Sequence, residues 1–451
     1  MRIIIAGCGK IGASVLSSLA SEGHDVVAVD KNSAVISELT NVYDVMGVCG
    51  NATDCDTLEE AGAADCGLFV AMTGSDELNM LSCFIAKKMG AEHTIARIRN
   101  PEYNDSSLGF LRQHLELSMA INPELGAARE LYNILKFPSA LKIETFSRRN
   151  LEMIEFRLDE DSDFAGKTLF EIRKKYNAKF LISCVQRGDD VYIPNGDFEL
   201  KAGDKIGITS SMNEMQKLLK MLNSLRKQAK KILILGGSKT AYYLAKMFES
   251  SGSVTIIEQD EKRCAELTSL LPAATIICGN GTQQELLTEE GLNTCDAFVA
   301  LTGIDEENIL ISIFAATQNV PKTVVKINRD ELAALAKKIG IDSIVSPKEI
   351  TSNILVQYAR ALDNSSGSAV ETLYKIFDGK AEALEFLVNA DSKLAGKMLK
   401  DIRLKPNILI GGIMRGRSTI IPAGSDSILA GDRVVVVSSK NRLNDINDIL
   451  K

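Results

Sequence analysis

Short apolar runs alternate with amphipathic stretches over the first 140 residues of the chain. Residues 2–6, 25–29, 45–48, 68–72 and 93–99 are nearly continuous apolar runs with polar or glycine borders. A strand with one wet face would alternate, so such runs predict strands of a parallel sheet covered on both faces. Between them, stretches such as 11–21 and 79–89 carry apolar residues at helical spacing. Strand and helix in alternation predict a doubly wound, Rossmann-like α/β domain. After a further strand at 117–121, Asn122-Pro123 offers an N-cap and a favourable first helical residue, and Leu125, Ala128, Leu131 and Leu135 follow along one face.

From about 141 to 225 the texture changes. Short alternating strands (153–158 and 206–209), one helix near 169–175 and turn signals at Arg187-Gly188 and Pro194-Asn195-Gly196 predict a small α+β domain.

The whole pattern then recurs, at a separation of about 229 residues. Gly50-Asn51-Ala52-Thr53 returns as Gly279-Asn280-Gly281-Thr282, and Thr73-Gly74-Ser75-Asp76 as Thr302-Gly303-Ile304-Asp305. Ala165-Gly166-Lys167 returns as Ala395-Gly396-Lys397, and Ala202-Gly203-Asp204 as Ala430-Gly431-Asp432. Ser346-Pro347 opens the counterpart of the Asn122-Pro123 helix. The expected order is therefore large, small, large, small: 1–140, 141–225, 226–365 and 366–451.

Composition narrows the function classes. A formal net charge of -7 provides no basic field for nucleic acid or anionic lipid. The basic cluster Arg226-Lys227 with Lys230-Lys231 reads as solvated linker. No apolar run is long enough to span a bilayer, and the chain enters its first strand at once, which is expected to leave no room for a signal peptide. The nine cysteines form no C-x-x-C pair and there are three histidines, so reduced thiols in a cytoplasmic protein are expected and no metal centre is.

The chemistry-bearing motif follows the first strand. Gly7, Cys8, Gly9, Lys10, Ile11 and Gly12 form a G-x-G-x-x-G that opens a helix. Gly7 suits a tight turn, Gly9 a backbone that approaches a pyrophosphate, and Gly12 close packing of helix on strand. The phosphates would rest on the helix N-terminus. About 18 residues beyond Gly12, Asp30 ends the second strand, placed to accept from ribose hydroxyls and to disfavour a 2′-phosphate. Asn51, Thr73 and Gly74 follow the third and fourth strands at the sheet edge where ligands of such folds sit. Asp76 and Asn79 are expected to cap the next helix. Lys10 either touches a phosphate or is solvated; Arg97 either reaches a phosphate or ligand carboxylate or closes a structural ion pair. Cys8 lies at a helix N-terminus, which can lower a thiol pKa, or is a buried small hydrophobe.

The second copy is altered. Gly236, Gly237, Ser238, Lys239, Thr240 and Ala241 align with the first loop, so Ser238 replaces Gly9 and Ala241 replaces Gly12. Glu258 keeps the acidic role of Asp30, Thr302 and Gly303 match Thr73 and Gly74, and Lys326 keeps the charge of Arg97. Its binding either survives with changed ligand choice or is lost.

These residues, together with Arg97-Ile98-Arg99-Asn100-Pro101-Glu102, resemble the RCK (or KTN) domain that regulates potassium conductance. The small domains, with Ala165-Gly166-Lys167 and Ala202-Gly203-Asp204, resemble its C-terminal partner. Two such pairs in one chain resemble the TrkA family of cytoplasmic subunits of Trk potassium uptake systems. The resemblance spans essentially the whole chain. It implies binding of NAD(H) and of ATP or ADP, assembly into a homo-oligomeric ring, expected to be a tetramer, and a TrkH-type membrane channel subunit as partner. It places the protein at the inner face of the plasma membrane without insertion. The rival reading is an NAD-dependent oxidoreductase with a duplicated cofactor domain. It lacks a positioned acid or base, because His24, His93 and His114 have no counterparts in the second half. A scaffold with vestigial nucleotide folds is opposed by the intact Gly7 to Asp30 set.

Overall fold

The computed structural model describes residues 1–103, 105–146, 151–176, 179–221, 228–341, 343–363, 370–377, 379–439 and 443–451. The Arg226-Lys227 pair and the expected boundaries at 225/226 and 365/366 lie outside the described residues. The chain divides into two compact units, one of Met1–Tyr132 with Lys230–Ala359 and the other of Asn133–Ala229 with Arg360–Lys451.

In the first unit, the first large domain runs β1 (Arg2–Ala6), α1 (Lys10–Ser21), β2 (Asp25–Asp30), α2 (Ser33–Val42), β3 (Met46–Cys49), α3 (Cys55–Glu60), β4 (Leu68–Ala71), α4 (Asp76–Met89), β5 (His93–Arg97), α5 (Asp105–His114), β6 (Met119–Ile121) and α6 (Pro123–Lys136), whose residues from Asn133 on fall to the second unit. Its six strands are all parallel, in the order β3-β2-β1-β4-β5-β6. Ile3, Ile4 and Ile5 are fully buried on successive positions, the signature of a strand covered on both faces. The strand order reverses between β1 and β4. The loops after these two strands part there and open a crevice at the carboxyl edge of the sheet.

Two ends differ from the sequence pattern for local reasons. β5 stops at Arg97 because the amides of Arg99 and Asn100 turn onto Asp76 Oδ2, each at 2.7 Å. α4 starts at Asp76 because Ser75 caps it, its side chain accepting from the Leu78 amide at 3.2 Å. α6 begins at Pro123 with Asn122 Oδ1 accepting from the Leu125 amide at 2.9 Å.

In the second unit lies the first small domain, β7 (Lys142–Phe146), β8 (Leu151–Arg157), α7 (Leu169–Lys175), β9 (Phe180–Arg187), β10 (Asp190–Tyr192), β11 (Lys205–Ser210) and α8 (Met212–Met221). Its sheet is antiparallel, in the order β10-β9-β11-β8-β7.

The second large domain, in the first unit, repeats the first as β12 (Lys231–Leu235), α9 (Lys239–Phe248), β13 (Ser253–Glu258), α10 (Glu261–Leu270), β14 (Thr275–Cys278), α11 (Gln284–Glu289), β15 (Ala297–Ala300), α12 (Asp305–Thr317), β16 (Thr323–Lys326), α13 (Asp330–Lys338), β17 (Ile344–Val345) and α14 (Pro347–Asp363), whose residues from Arg360 on fall to the second unit. Its order, β14-β13-β12-β15-β16-β17, is the same.

The second small domain contributes β18 (Val370–Ile376), β19 (Ala381–Leu387), β20 (Ile408–Arg415), β21 (Ser418–Ile420) and β22 (Arg433–Ser438) to the second unit. Where the first copy has α7, the second has only a short helical turn at Leu399–Asp401. The two small domains share a core in which Phe146, Leu151 and Met153 meet Ile376, Phe377 and Val435. Among the described residues, no helix is long and apolar enough to cross a membrane, and no cluster of His, Cys, Asp and Glu could hold a metal ion.

Candidate functional site

The loop after β1 is shaped by contacts that leave no room for side chains at two of its glycines. Gly7 has φ +89°, and a Cβ on it would stand 2.6 Å from the Thr73 amide nitrogen. A Cβ on Gly12 would stand 2.0 Å from the Gly7 carbonyl oxygen. Gly9 is different: it is the N-cap of α1, without a side-chain cap, and a Cβ there would meet nothing within 4 Å. Gly7 and Gly12 thus hold the loop against β4 and α1, while Gly9 faces open space.

Asp30, at the end of β2, organises the same loop. Its Oδ2 accepts from the Cys8 amide at 2.7 Å and its Oδ1 from the Asn32 amide at 2.9 Å. A carboxylate has lone pairs to spare beyond these two bonds. Cys8 turns inward, its Sγ toward the carbonyls of Ile5 (3.6 Å) and Val29 (3.8 Å). Burial, helped by the Asp30 charge, pushes its thiol up to about 12. The low-pKa alternative therefore fails, and Cys8 is a buried small hydrophobe.

The opposite wall is braced from within. Asn79 is fully buried. Its Oδ1 accepts from both the amide and the hydroxyl of Thr73 at 2.7 Å, and its Nδ2 donates to the Arg97 carbonyl at 2.9 Å. The expectation that Asp76 and Asn79 cap α4 is corrected: Ser75 is the cap. Asp76 and Asn79, inside the helix, instead tie the β4 and β5 loops together. Replacing Asn79 with leucine leaves the Thr73 amide and the Arg97 carbonyl unpaired. It is expected to lower stability by about 2–4 kcal/mol, measured by chemical denaturation. A loss below about 1 kcal/mol would mean that water replaces the amide.

The first cavity, about 940 Å³, lies along these loops. Gly7, Gly9, Lys10, Ile11, Asp30, Asn51, Thr73, Gly74 and Arg97 line it; Cys8 and Gly12 stand behind the wall. Arg97 forms an ion pair with Glu124 of α6 at 2.8 Å, so the structural alternative for this residue is realised. Burial nonetheless pulls its guanidinium below the ordinary value, against the pull of Glu124. Arg97 Nε and Glu124 Oε2 are buried without a hydrogen-bond partner. An orphan donor beside an orphan acceptor suits a ligand carrying both kinds of group.

The cavity is not built by one copy alone. Ser238, which also lines the second loop's own cavity, Lys239 and Thr240 at the start of α9, Lys326 at the end of β16, Asn328 and Pro347 line it from the second copy. Burial lowers the pKa of Lys326, and its Nζ donates to the Leu301 carbonyl at 3.2 Å. The two large domains are held together beside the cavity. Tyr243 of α9 accepts from Asn122 Nδ2 at 3.0 Å and donates to the Arg99 carbonyl at 2.9 Å. Tyr132 packs on Phe248, ring centroids 4.8 Å apart, and the hydroxyls of Ser14 and Ser352 are 3.2 Å apart. Sequence reasoning assigned Lys239, Thr240 and Lys326 to the second loop's own site; the structure places them at the first. It also missed Lys31, Arg99 and Glu124. Lys31 adjoins Asp30 and Arg99 sits within the quoted Arg97 motif, so charge at the sheet edge was the available signal.

A second, smaller cavity of about 380 Å³ is lined by Gly236, Gly237, Ser238, Glu258, Thr302 and Gly303, with Glu307. Glu258 repeats the Asp30 pattern, accepting from the amides of Gly237 at 2.6 Å and Asp260 at 2.9 Å. Ser238 caps α9, and Ala241 is fully buried.

Comparison with known proteins agrees with this architecture at every level. The TrkA-N domain model matches residues 3–123 and 232–347, and the TrkA-C domain model matches residues 153–223 and 383–451. A Trk system potassium uptake protein TrkA homolog of Archaeoglobus fulgidus is 32% identical over 453 residues, covering 100% of both chains. The Trk system potassium uptake protein TrkA of Vibrio alginolyticus is 30% identical, over 100% of this chain and 99% of that one. Among solved structures, the GsuK channel bound to NAD shares the fold, with a TM-score of 0.63 at 18% identity over 97% of this chain and 77% of that one. This kinship removes the oxidoreductase alternative. With N and C domain models matched twice in alternation and relatives aligned from end to end, the chain belongs to the TrkA family.

Proposed function

We propose that this chain is the nucleotide-sensing regulatory subunit of a Trk-type potassium uptake system. It binds a nucleotide, NAD(H) or ATP/ADP, in the first cavity and gates a TrkH-type membrane channel subunit from the cytoplasmic face, as a homo-oligomeric ring of four chains. The observation that carries this reading is the composition of the first cavity. A glycine loop at a helix N-terminus, an aspartate at the end of β2 and cations from both copies of the large domain meet in one space. Polyphosphate chemistry calls for that set: amide donors and a helix dipole for the phosphates, lysines for their charge, a carboxylate for the ribose hydroxyls. The orphan atoms of Arg97 and Glu124 add a donor and an acceptor on the same wall. The names of the relatives and the NAD-bound channel of like fold support the same reading.

In binding, Gly9 and Lys10 would meet the phosphates, Asp30 the ribose, and Lys239 and Lys326 would draw the second copy toward the ligand's charge. Gating requires that the ligand favour one arrangement of the ring over another; equal binding to both would shift nothing.

Two measurements test the proposal. Calorimetry on Asp30→Ala should show NADH and adenine nucleotide binding weakened by about 1–3 kcal/mol, the scale of a lost charged acceptor. Unchanged affinity would put the ribose elsewhere. Potassium flux in liposomes carrying the channel subunit with this chain should differ among ATP, ADP, NADH and no nucleotide. Identical flux in all four, with the complex intact, would leave a scaffold in place of a sensor.

A further inference from the structure

The second cavity keeps the parts that would meet a ribose and lacks the cations that would meet a phosphate. Glu258 holds the loop as Asp30 does, and Asn308 braces Thr302 as Asn79 braces Thr73, with 2.9 Å from the Thr302 amide and 2.8 Å from its hydroxyl. Yet none of the described residues lining this cavity is Lys or Arg. The lysines that the alignment would give it, Lys239 and Lys326, line the first cavity. Arg263 of α10 donates from Nε to the Gly237 carbonyl at 2.6 Å and pairs with Glu266 at 2.7 Å.

Three substitutions separate the copies further. Ser238 stands in place of Gly9, and its Oγ accepts from the Ala241 amide at 3.4 Å, so a helix-end donor left without a side-chain partner at Gly9 is answered from within. Glu307 stands in place of Leu78, each lining its own cavity. Burial first, and then the neighbouring Glu258, raise the Glu307 carboxyl above its usual value, and both carboxyls line this cavity. Leu235 stands in place of Ala6 and lines the cavity, which is about 380 Å³ against about 940 Å³. Small-molecule sites span roughly 300–1,000 Å³, so the first has room for a dinucleotide or nucleotide and the second for a single nucleoside.

We propose that the second cavity is a nucleoside site. It takes an unphosphorylated ribonucleoside such as adenosine, whose vicinal hydroxyls donate to Glu258, and it excludes phosphorylated forms through the paired negative charge of Glu258 and Glu307. The two halves of the chain then read different ligands from one duplicated frame. This rests on the reading of the first cavity as a nucleotide site, from which the ribose role of Glu258 is taken.

The test is calorimetry on the full chain with adenosine, AMP and ADP. In Asp30→Ala, where the first cavity is weakened, adenosine should bind at one site per chain. Adding Glu258→Ala should weaken it at least about tenfold, the loss of a charged acceptor. In the Asp30→Ala background AMP should bind at least about tenfold more weakly than adenosine, because a phosphate meets two carboxylates at short range. Adding Glu307→Leu should narrow that gap, and an unchanged circular dichroism spectrum of each variant verifies folding. Absence of adenosine binding in Asp30→Ala, indifference to Glu258→Ala, or AMP binding as tight as adenosine would each overturn the nucleoside site. ADP binding that falls in Asp30→Ala while adenosine fails everywhere would sink this proposal and leave the first-cavity reading standing. ADP binding indifferent to Asp30→Ala would sink that reading instead.

Discussion

Gly12→Ala is expected to destabilise the first large domain by about 2–4 kcal/mol, a large loss for one methyl group. The added Cβ would stand 2.0 Å from the Gly7 carbonyl oxygen and 3.0 Å from its carbon, both backbone atoms. Gly7 cannot retreat. Its amide is bonded to the Val29 carbonyl at 2.8 Å, and its other side lies against the Thr73 backbone. The helix α1 must therefore shift away from β1, which loosens its packing on the sheet. The second copy provides the control. Ala241, at the matching position, is fully buried and accommodated, so Ala241→Gly should cost only about 1 kcal/mol, the ordinary helix penalty. Chemical denaturation of the two variants side by side measures the contrast. A Gly12→Ala protein of wild-type stability would show that α1 is free to slide and that this glycine is not a packing residue.

Much of this was legible in the sequence because the information is local. The spacing of Gly7, Gly9 and Gly12, the placing of Asp30 at a strand end, and Asn122-Pro123 ahead of a helix each depend on a few neighbouring residues. Repetition at a nearly constant offset then gave the order large, small, large, small. What was hidden depends on contacts distant in sequence. Nothing near Lys239 says that it lines the cavity of the other copy; that follows from Tyr243 docking on Asn122 and Arg99. The partner of Arg97 sits on α6, beyond β6, so an ion pair and a phosphate contact read alike in the sequence. Helix α5 is hard to read from the sequence because Gly109 is a poor helix former and its inward face is carried by little more than Leu108 and Leu111. The capping role given to Asp76 and Asn79 failed because Ser75 is an equally good cap one residue earlier, freeing both for longer reach.

The docking of the second copy on the first cavity leads to the largest functional effect expected here. Lys239→Glu should weaken ATP binding about 100-fold, since it removes a cation from a partly enclosed site and sets a like charge against the phosphates. The substitution lies on the second large domain, in a loop whose own cavity would be left without a change in its lining. If the first domain bound nucleotide by itself, the variant would be silent. Lys246→Ala is the matched control, because Lys246 lies on the same helix but pairs with Glu249 at 2.7 Å and lines neither cavity. Adenosine at the first cavity should respond far less than ATP to Lys239→Glu, because it presents no phosphate to the substituted side chain. A ligand held by both domains is also what lets occupancy distinguish two arrangements, because its affinity then depends on how the copies meet. Nucleotide-dependent potassium flux should accordingly vanish in Lys239→Glu while the complex with the channel subunit stays assembled. ATP affinity within about twofold of wild type would show that the lysine does not reach the ligand, and the coupling between the two copies would have to run through the Tyr243 contacts alone.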